Sequence, residues 1–486
     1  MTEPTSTAPE TRLQRVWRLL KLALNGEEQV YTTGSIDRAI ILLSIPMILE
    51  MAMESLFAVV DAFFVSKISV EAVATVGLTE SILTLIYSIA IGLSSAATAM
   101  VSRRIGEGNP TAAAKAAAQT ILIAVFISVF VAIPGFFFAK EILLGMSENA
   151  ALAESGKHFT QIMLTCNLPI LLLWMLNGVF RGAGDANTAM RALWIANGVN
   201  ILLDPMLIFG WGPFPALGVT GAAVATTIGR STGVVYQLWM LLRPVPVRYD
   251  AAGEVVQSNR IHIHWSYFKP DLGIIRRLFG LGAGGAGQYL IGSASWIFMI
   301  KILAHIGTSV TAGYTIAIRI IIFTILPSWG MANAAATLVG QNLGAGHPER
   351  AEKSAWRAGF FNMIFMGFVG IVYITAAPFF IQIFTQDPEV VEAGSMALRT
   401  IACGYIFYGC GMVLAQAING AGDTVTPTIM NFVCFWLIEM PLAWVLAIYL
   451  HWGQMGVYTS IVIAESMLAV MAIVIFRRGK WKTIKV

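Results

Sequence analysis

Glu50, Glu54 and Asp61 stand in one otherwise apolar stretch, Glu54 four residues and Asp61 eleven residues beyond Glu50. At about 100° per helical residue they fall within roughly 40° of one another, forming a carboxylate stripe on one face. Asn197, Asn200 and Asp204, spaced by three and four, make a second stripe that ends at Pro205. Ionisable groups surrounded by hydrocarbon are costly and point to function by default. Carboxyls kept from water are suited to taking up and releasing protons. With the oxygens of Asn200 and a threonine, Asp61 and Asp204 could instead hold Na⁺, and the residues alone do not choose between the two ions. The competing reading, that these groups only hydrogen-bond between helices at around 1 kcal/mol each, suits the asparagines better than the aspartates. Pro46 precedes the first stripe, removes an internal hydrogen bond and invites a bend in that helix.

The elements that must carry these stripes follow from composition. Of 486 residues, 57% are hydrophobic and 12% charged, against roughly 25% charged in a soluble domain. A membrane-crossing helix takes about 20 apolar residues, and the chain supplies about twelve such runs, from residues 39–66 to 456–476. Unbroken runs such as Ile121 to Phe138 exclude the alternating pattern of a membrane β-barrel. The fold class is all-α: a polytopic membrane protein with twelve transmembrane helices. The net charge of +4 is small, and the basic residues lie in polar connections, where they act as topology determinants. Both termini are expected in the cytoplasm of a cell with the chain in its inner (plasma) membrane. Residues 1–35 form a cytoplasmic segment in which Leu13, Val16, Trp17, Leu20 and Leu24 recur at helical spacing opposite Arg12, Arg15, Arg18 and Lys21, an amphipathic surface helix. The expected organisation continues with a first lobe at 36–242, a cytoplasmic linker at 243–274, a second lobe at 275–478 and a basic tail at 479–486. The cysteines, Cys166, Cys403, Cys410 and Cys434, lie in apolar runs and define no disulfide framework or metal spacing.

The two lobes repeat one another. A shift of 238 residues lays Gly106-x-Gly108-x-Pro110 on Gly344-x-Gly346-x-Pro348, Gly182-Ala183-Gly184-Asp185 on Gly420-Ala421-Gly422-Asp423, and Gly218-Val219 on Gly456-Val457. With six spans in each half, the copies share one orientation, as in transporters that rock two pseudo-symmetric bundles about a central cavity. The same shift brings Gln288, Gly292, Met299 and Leu442 to the acidic positions of the first lobe, so the ion chemistry is asymmetric.

Other motifs fare worse. The Gly-x-Gly-Asp copies with Tyr249-Asp250 spell an intramembrane aspartyl protease, but they fall in interfacial loops and the polar linker. Gly282 to Gly287 fits a dinucleotide pattern, yet it follows no strand, and close helix packing explains it better. No catalytic constellation or metal cluster marks an enzyme, and no cofactor is expected. Glu439 and Arg230 lie deeper in their spans, where a gate, a substrate contact and a structural partner all remain open.

Pro46, Asp61 with Val65-Ser66, Arg181-Gly182-x-Gly184-Asp185-Ala186-Asn187, Asn200-x-x-x-Asp204-Pro205 and Gly221-Ala222-Ala223-x-Ala225-Thr226 resemble the prokaryotic multidrug and toxic compound extrusion (MATE) transporters, in particular the DinF-like branch, from about residue 36 to 478. The resemblance implies two six-helix lobes around a cavity, and efflux of small organic, mostly cationic, amphipathic compounds in exchange for H⁺ or Na⁺ by a monomer in the lipid bilayer. Carried over by position, it implies a first-lobe cation site at Asp61, Asn177, Asn200, Asp204 and Thr226, with Pro46 as the bend that couples protonation to substrate release. Trp174 and Phe159 replace an Asn and a Tyr of relatives, and the seventh-helix acid of the NorM-like branch is absent beside Gln288, so no second-lobe cation site is expected. Glu50, Glu54 and Gln288 are expected to line the substrate cavity, the two glutamates favouring cations. The alternative reading is a lipid or lipid-linked-sugar flippase of the same superfamily, for which the buried charge is too acidic.

Overall fold

A computed structural model describes residues 12–26, 29–147, 149–244, 248–249, 255–256 and 260–486. Residues 1–11 and 27–28 of the amino-terminal segment lie outside the described residues, as do 245–247, 250–254 and 257–259 of the linker, Asp250 among them. A short helix α1 (Arg12–Asn25) precedes the first lobe. That lobe comprises α2 (Ile36–Ser66), α3 (Val70–Gly106), α4 (Pro110–Ser147), the successive pair α5 (Ala150–Thr165) and α6 (Leu168–Ala183), α7 (Ala186–Phe209) and α8 (Val219–Leu242). The second lobe comprises α9 (Leu272–Ile306), α10 (Thr308–Gly344), α11 (Pro348–Gln382), the pair α12 (Pro388–Ala402) and α13 (Tyr405–Gly420), bent by 56°, α14 (Val425–Tyr449) and α15 (Gln454–Arg477). Counting each pair as one span gives six per lobe. α8 has a span's length but falls short of the others in apolarity, since it carries Arg230 and many small residues. The linker adds one detail that periodicity did not reveal, a two-residue antiparallel ladder with Arg248 opposite Val256 and Tyr249 opposite Val255.

Local sequence starts these helices. Ser69 accepts from Ala72 N, and Asp271 from Gly273 N and Ile274 N, satisfying orphan donors of the first turn. The internal repeat extends to this scale: Asp185 accepts from both the backbone and the hydroxyl of Thr188, and Asp423 does the same with Thr426. α4 and α11 leave helical geometry at Phe138 and Ala376, 238 residues apart, although the two residues differ in type. The last expected match is displaced. The N-cap of α8 is Gly218 (φ 58°, ψ −137°), and its conformational twin is Gly453 (φ 56°, ψ −137°), a local shift of 235. Gly218 therefore pairs with Gly453 and not with Gly456. The cause lies just before it: nine residues, 210–218, connect α7 to α8, but only four, 450–453, connect α14 to α15, although α14 itself takes up extra residues in π-helical winding over Phe432–Glu439 and Val445–Tyr449.

Two crossed helix pairs join the lobes, α3 with α9 and α2 with α10, as a pseudo-two-fold requires. Small residues allow the approach. A Cβ on Gly92 would lie 2.3 Å from Gly282 O and 2.4 Å from Ala286 N, and one on Gly106 would lie 2.0 Å from Gln341 O. Thr337 Oγ1 donates to Arg181 O at 3.1 Å, and Gln341 Nε2 to Gly182 O at 3.0 Å. These contacts lie in the half of the molecule nearer the termini. The termini reinforce that seal. Arg350 of α11 donates to the carbonyls of Tyr31, Thr33 and Gly34, Arg191 of α7 donates to Leu24 O, and Arg103 of α3 donates to Ile484 O.

Candidate functional site

The polar face of α2 is covered by α6, α7 and α8, which run alternately up and down the first lobe and so meet it in layers. Nearest the termini, Glu50 Oε1 accepts from Asn177 Nδ2 at 2.9 Å and from Arg181 Nη1 at 3.1 Å. Gln237 Nε2 donates to Asn177 Oδ1 at 2.5 Å, and Arg181 Nη2 donates to Ser94 Oγ at 3.0 Å. One turn on, Arg230 grips Glu54 through both guanidinium nitrogens, at 2.8 and 3.2 Å, and Asn197 Nδ2 donates to the same carboxylate at 3.0 Å. The face of the Phe57 ring lies 5.0 Å from this guanidinium. Furthest from the termini, Asn200 Nδ2 donates to Thr226 Oγ1 at 3.1 Å. Asp204 beside them is fully buried, and both its oxygens lack a partner, as does Asn200 Oδ1. Asp61 lies within electrostatic range of Asp204 and of Arg230.

Charge accounting separates the layers. In the layers along the polar face of α2, the four carboxylates of Glu50, Glu54, Asp61 and Asp204 are met by two guanidiniums, and each guanidinium is committed to a glutamate. The aspartates are left over. Buried charge without a counter-charge is very costly.

Several expected positions change meaning in this geometry. Asn177 belongs to the Glu50 layer; eleven helical residues, about 16 Å at 1.5 Å each, separate that layer from Asp61, so Asn177 cannot share an ion with it. Glu50 is fully buried and does not line the cavity, because Arg181 stands in front of it. Glu54 is neutralised by Arg230, and Gln288 is spent on Asn419 Oδ1 and Thr424 O, at 3.0 and 3.1 Å. α2 runs as one helix through Pro46. The sequence reading missed Gln237 and Ser94 altogether and left Arg230 without a role, although a basic residue inside a span is itself a signal that an acid faces it. It also passed over Glu465, which interrupts an apolar run in α15.

Between the lobes lies a narrow cavity lined by Met51, Trp174 and Arg181 from the first lobe and by Trp329, Asn333 and Gln416 from the second. Cavity, layered acids and crossed lobes together are the arrangement of a membrane transporter built from two pseudo-symmetric halves. The MatE family model matches residues 46–206 and 286–445, most of both lobes, and the chain belongs to this family of MATE transporters, which are not enzymes. A probable multidrug resistance protein NorM from Thermotoga maritima is 25% identical over 449 residues, covering 92% of this chain and 93% of its own. An FAD transporter from Shewanella oneidensis is 27% identical over 418 residues, covering 85% and 88%. Among solved structures, a MATE in complex with MaD3S superposes with a TM-score of 0.83 at 25% identity, covering 93% of this chain and 96% of that one. A MOP superfamily transporter from Pyrococcus furiosus shares the fold, with a TM-score of 0.83 at 24% identity over 94% and 98% of the two chains.

Proposed function

We propose that the chain is a secondary antiporter that expels small organic compounds, multiple drugs among them, in exchange for H⁺ or Na⁺ taken up at Asp61 and Asp204 of the first lobe. The observation that carries this reading is Asp204, fully buried with two unpartnered oxygens beside a second aspartate and no free basic residue. A cation arriving there stabilises whichever arrangement buries it. Asn200 and Thr226 supply neutral oxygens to the same layer, and Pro46 gives α2 a point at which to yield when the layer is neutralised. The chain works as a monomer in the inner membrane with both termini in the cytoplasm, so the sealed end is the cytoplasmic one and this state faces outward.

The substrate reading changes with the ion pairs. Glu50 and Glu54 are neutralised, so selection falls to the cavity wall. Trp174 and Trp329 offer flat apolar faces, and Asn333 and Gln416 offer adaptable hydrogen bonding, a lining suited to amphipathic aromatic compounds of varied shape.

The test is dye transport by purified protein in liposomes under imposed pH or Na⁺ gradients. Asp61→Asn and Asp204→Asn should abolish gradient-driven efflux while elution and unfolding profiles stay as in the parent. Coupled transport retained in both variants rejects the assignment, and the gradient that drives the parent identifies the ion.

A further inference from the structure

Two charges of opposite sign stand inside spans of opposite lobes. Glu80 lies ten residues into α3 and Arg319 eleven residues into α10, each about 15 Å from the start of its helix at 1.5 Å per residue. Both side chains are exposed, and neither makes an ion pair or a hydrogen bond among the described residues.

Helical register fixes the faces they occupy. At about 100° per residue, Glu80 lies within about 40° of Ile91, Ser94 and Thr98, through which α3 lines the cavity between the lobes. By the same measure Arg319 lies within about 40° of Gly330, Thr337 and Gln341. Those three meet the first lobe: a Cβ on Gly330 would lie 2.6 Å from Met47 O, and Thr337 and Gln341 donate to Arg181 O and Gly182 O. Both charges therefore belong to the faces that look across the lobe boundary. α3 and α10 are also equivalent under the repeat, since a shift of 238 takes Glu80 to Ile318, one position before Arg319. The two helices touch near the termini, where Gly106 packs on Gln341, and enclose the cavity at Ser94 and Asn333. Glu80 and Arg319 lie beyond the cavity, at the other end. Arg319 there borders a groove with Thr308, Thr311 and Thr315, and Glu80 is within electrostatic range of both Arg319 and Asp61.

Charged groups at such depth are costly in lipid. Snorkelling relieves a long side chain near a helix end, but it gives no reason for opposite charges on facing helices of two lobes. Drawing the lobes together at this end replaces water between the charges by a charge-assisted pair, which strengthens as the surroundings dry. Pro327 interrupts α10 between Arg319 and the sealed end, a point at which that helix can bend.

We propose that Glu80 and Arg319 form the ion pair that closes the transport pathway at the end away from the termini. While that end is open, an entering cation meets three acids, Glu80, Asp61 and Asp204; on closure Arg319 neutralises Glu80. The pair rests on the transport cycle proposed above and is independent of which ion drives it.

The test uses full-length protein in liposomes. Glu80→Arg and Arg319→Glu should each slow gradient-driven dye efflux about fivefold or more, and the double exchange should recover most of the parent rate. Single variants at the parent rate, or a double exchange as slow as the singles, overturn the proposal. With Cys166, Cys403, Cys410 and Cys434 replaced by alanine, Glu80→Cys with Arg319→Cys should form a disulfide under oxidant and arrest efflux until reduced. Cysteines that stay free are equally fatal, and this readout decides where the charge reversals fail to fold. Cross-linking is scored without reference to transport, so a parent inactive under every gradient would refute the antiport reading and leave the pair to stand or fall on the disulfide.

Discussion

Replacing Arg230 by methionine keeps bulk and removes charge, leaving Glu54 inside the lobe with only the amide of Asn197. Removing one partner of a buried ion pair costs about 3–5 kcal/mol, because the remaining charge is uncompensated, whereas replacing both partners is often nearly neutral. Glu54 retains 15% side-chain exposure, so its variant belongs at the lower end, about 3 kcal/mol. Arg181→Met strands Glu50, whose side chain is 0% exposed, and should cost more. The diagnostic comparison is the double variant Glu54→Gln with Arg230→Met, expected to recover about 2 kcal/mol or more of the single variant's loss. Thermal and denaturant midpoints in detergent, compared within the series, read this out; unfolding of so many spans is not assumed to be two-state. A double variant as unstable as Arg230→Met alone would show that the single change breaks packing, and the charge accounting for this layer would fail.

The lobe interface offers two further tests. Gly92→Val places a side chain against Gly282 O and Ala286 N, both backbone atoms, so the lobes cannot seal; spin-label distances across the end carrying the termini should lengthen, and unchanged distances would contradict the packing. Arg350→Ala deletes donations to three carbonyls of residues 31–34, and limited proteolysis before α2 should quicken relative to the parent, with an unchanged rate counting against the tether.

The twelve spans, the repeat and the aspartates were legible because each is written in a local pattern: an apolar run, a fixed offset, a helical spacing. Asp61 and Asp204 announce themselves by charge amid hydrocarbon. The partners of Glu50 and Glu54 were not legible, since spacing along α2 tells which face a side chain occupies but not which helix covers it. Arg181 and Arg230 come from α6 and α8, chosen by lobe packing, and they turn two expected substrate contacts into structural pairs. Asn177 illustrates the same gap, for it meets Glu50 and Gln237 and not Asp61. The kinks at Phe138 and Ala376 share an offset but no residue type, so only the backbone reveals them as equivalent. Likewise, a connection five residues shorter after α14 than after α7 broke the register that put Gly218 on Gly456.

The order of the acids along α2 has a mechanical consequence. Glu50 and Glu54, both paired, flank the middle of α2, while Asp61 lies close to the helix end at Ser66, away from the sealed end. Asp204 likewise sits near the far end of α7, and Thr226 near the start of the returning α8. The ion pairs thus tie α2 to α6 and α8 of its own lobe, and the acids without arginines collect towards the end away from the termini. Under the proposed function, a cation entering from that end meets the unpaired layer before it reaches the ion-paired ones, which are already neutral and have nothing to gain from it. Its binding energy is therefore spent on the part of α2 that is least tied to the opposite lobe, where a small displacement costs little and can be carried through Pro46 to the interface with α10.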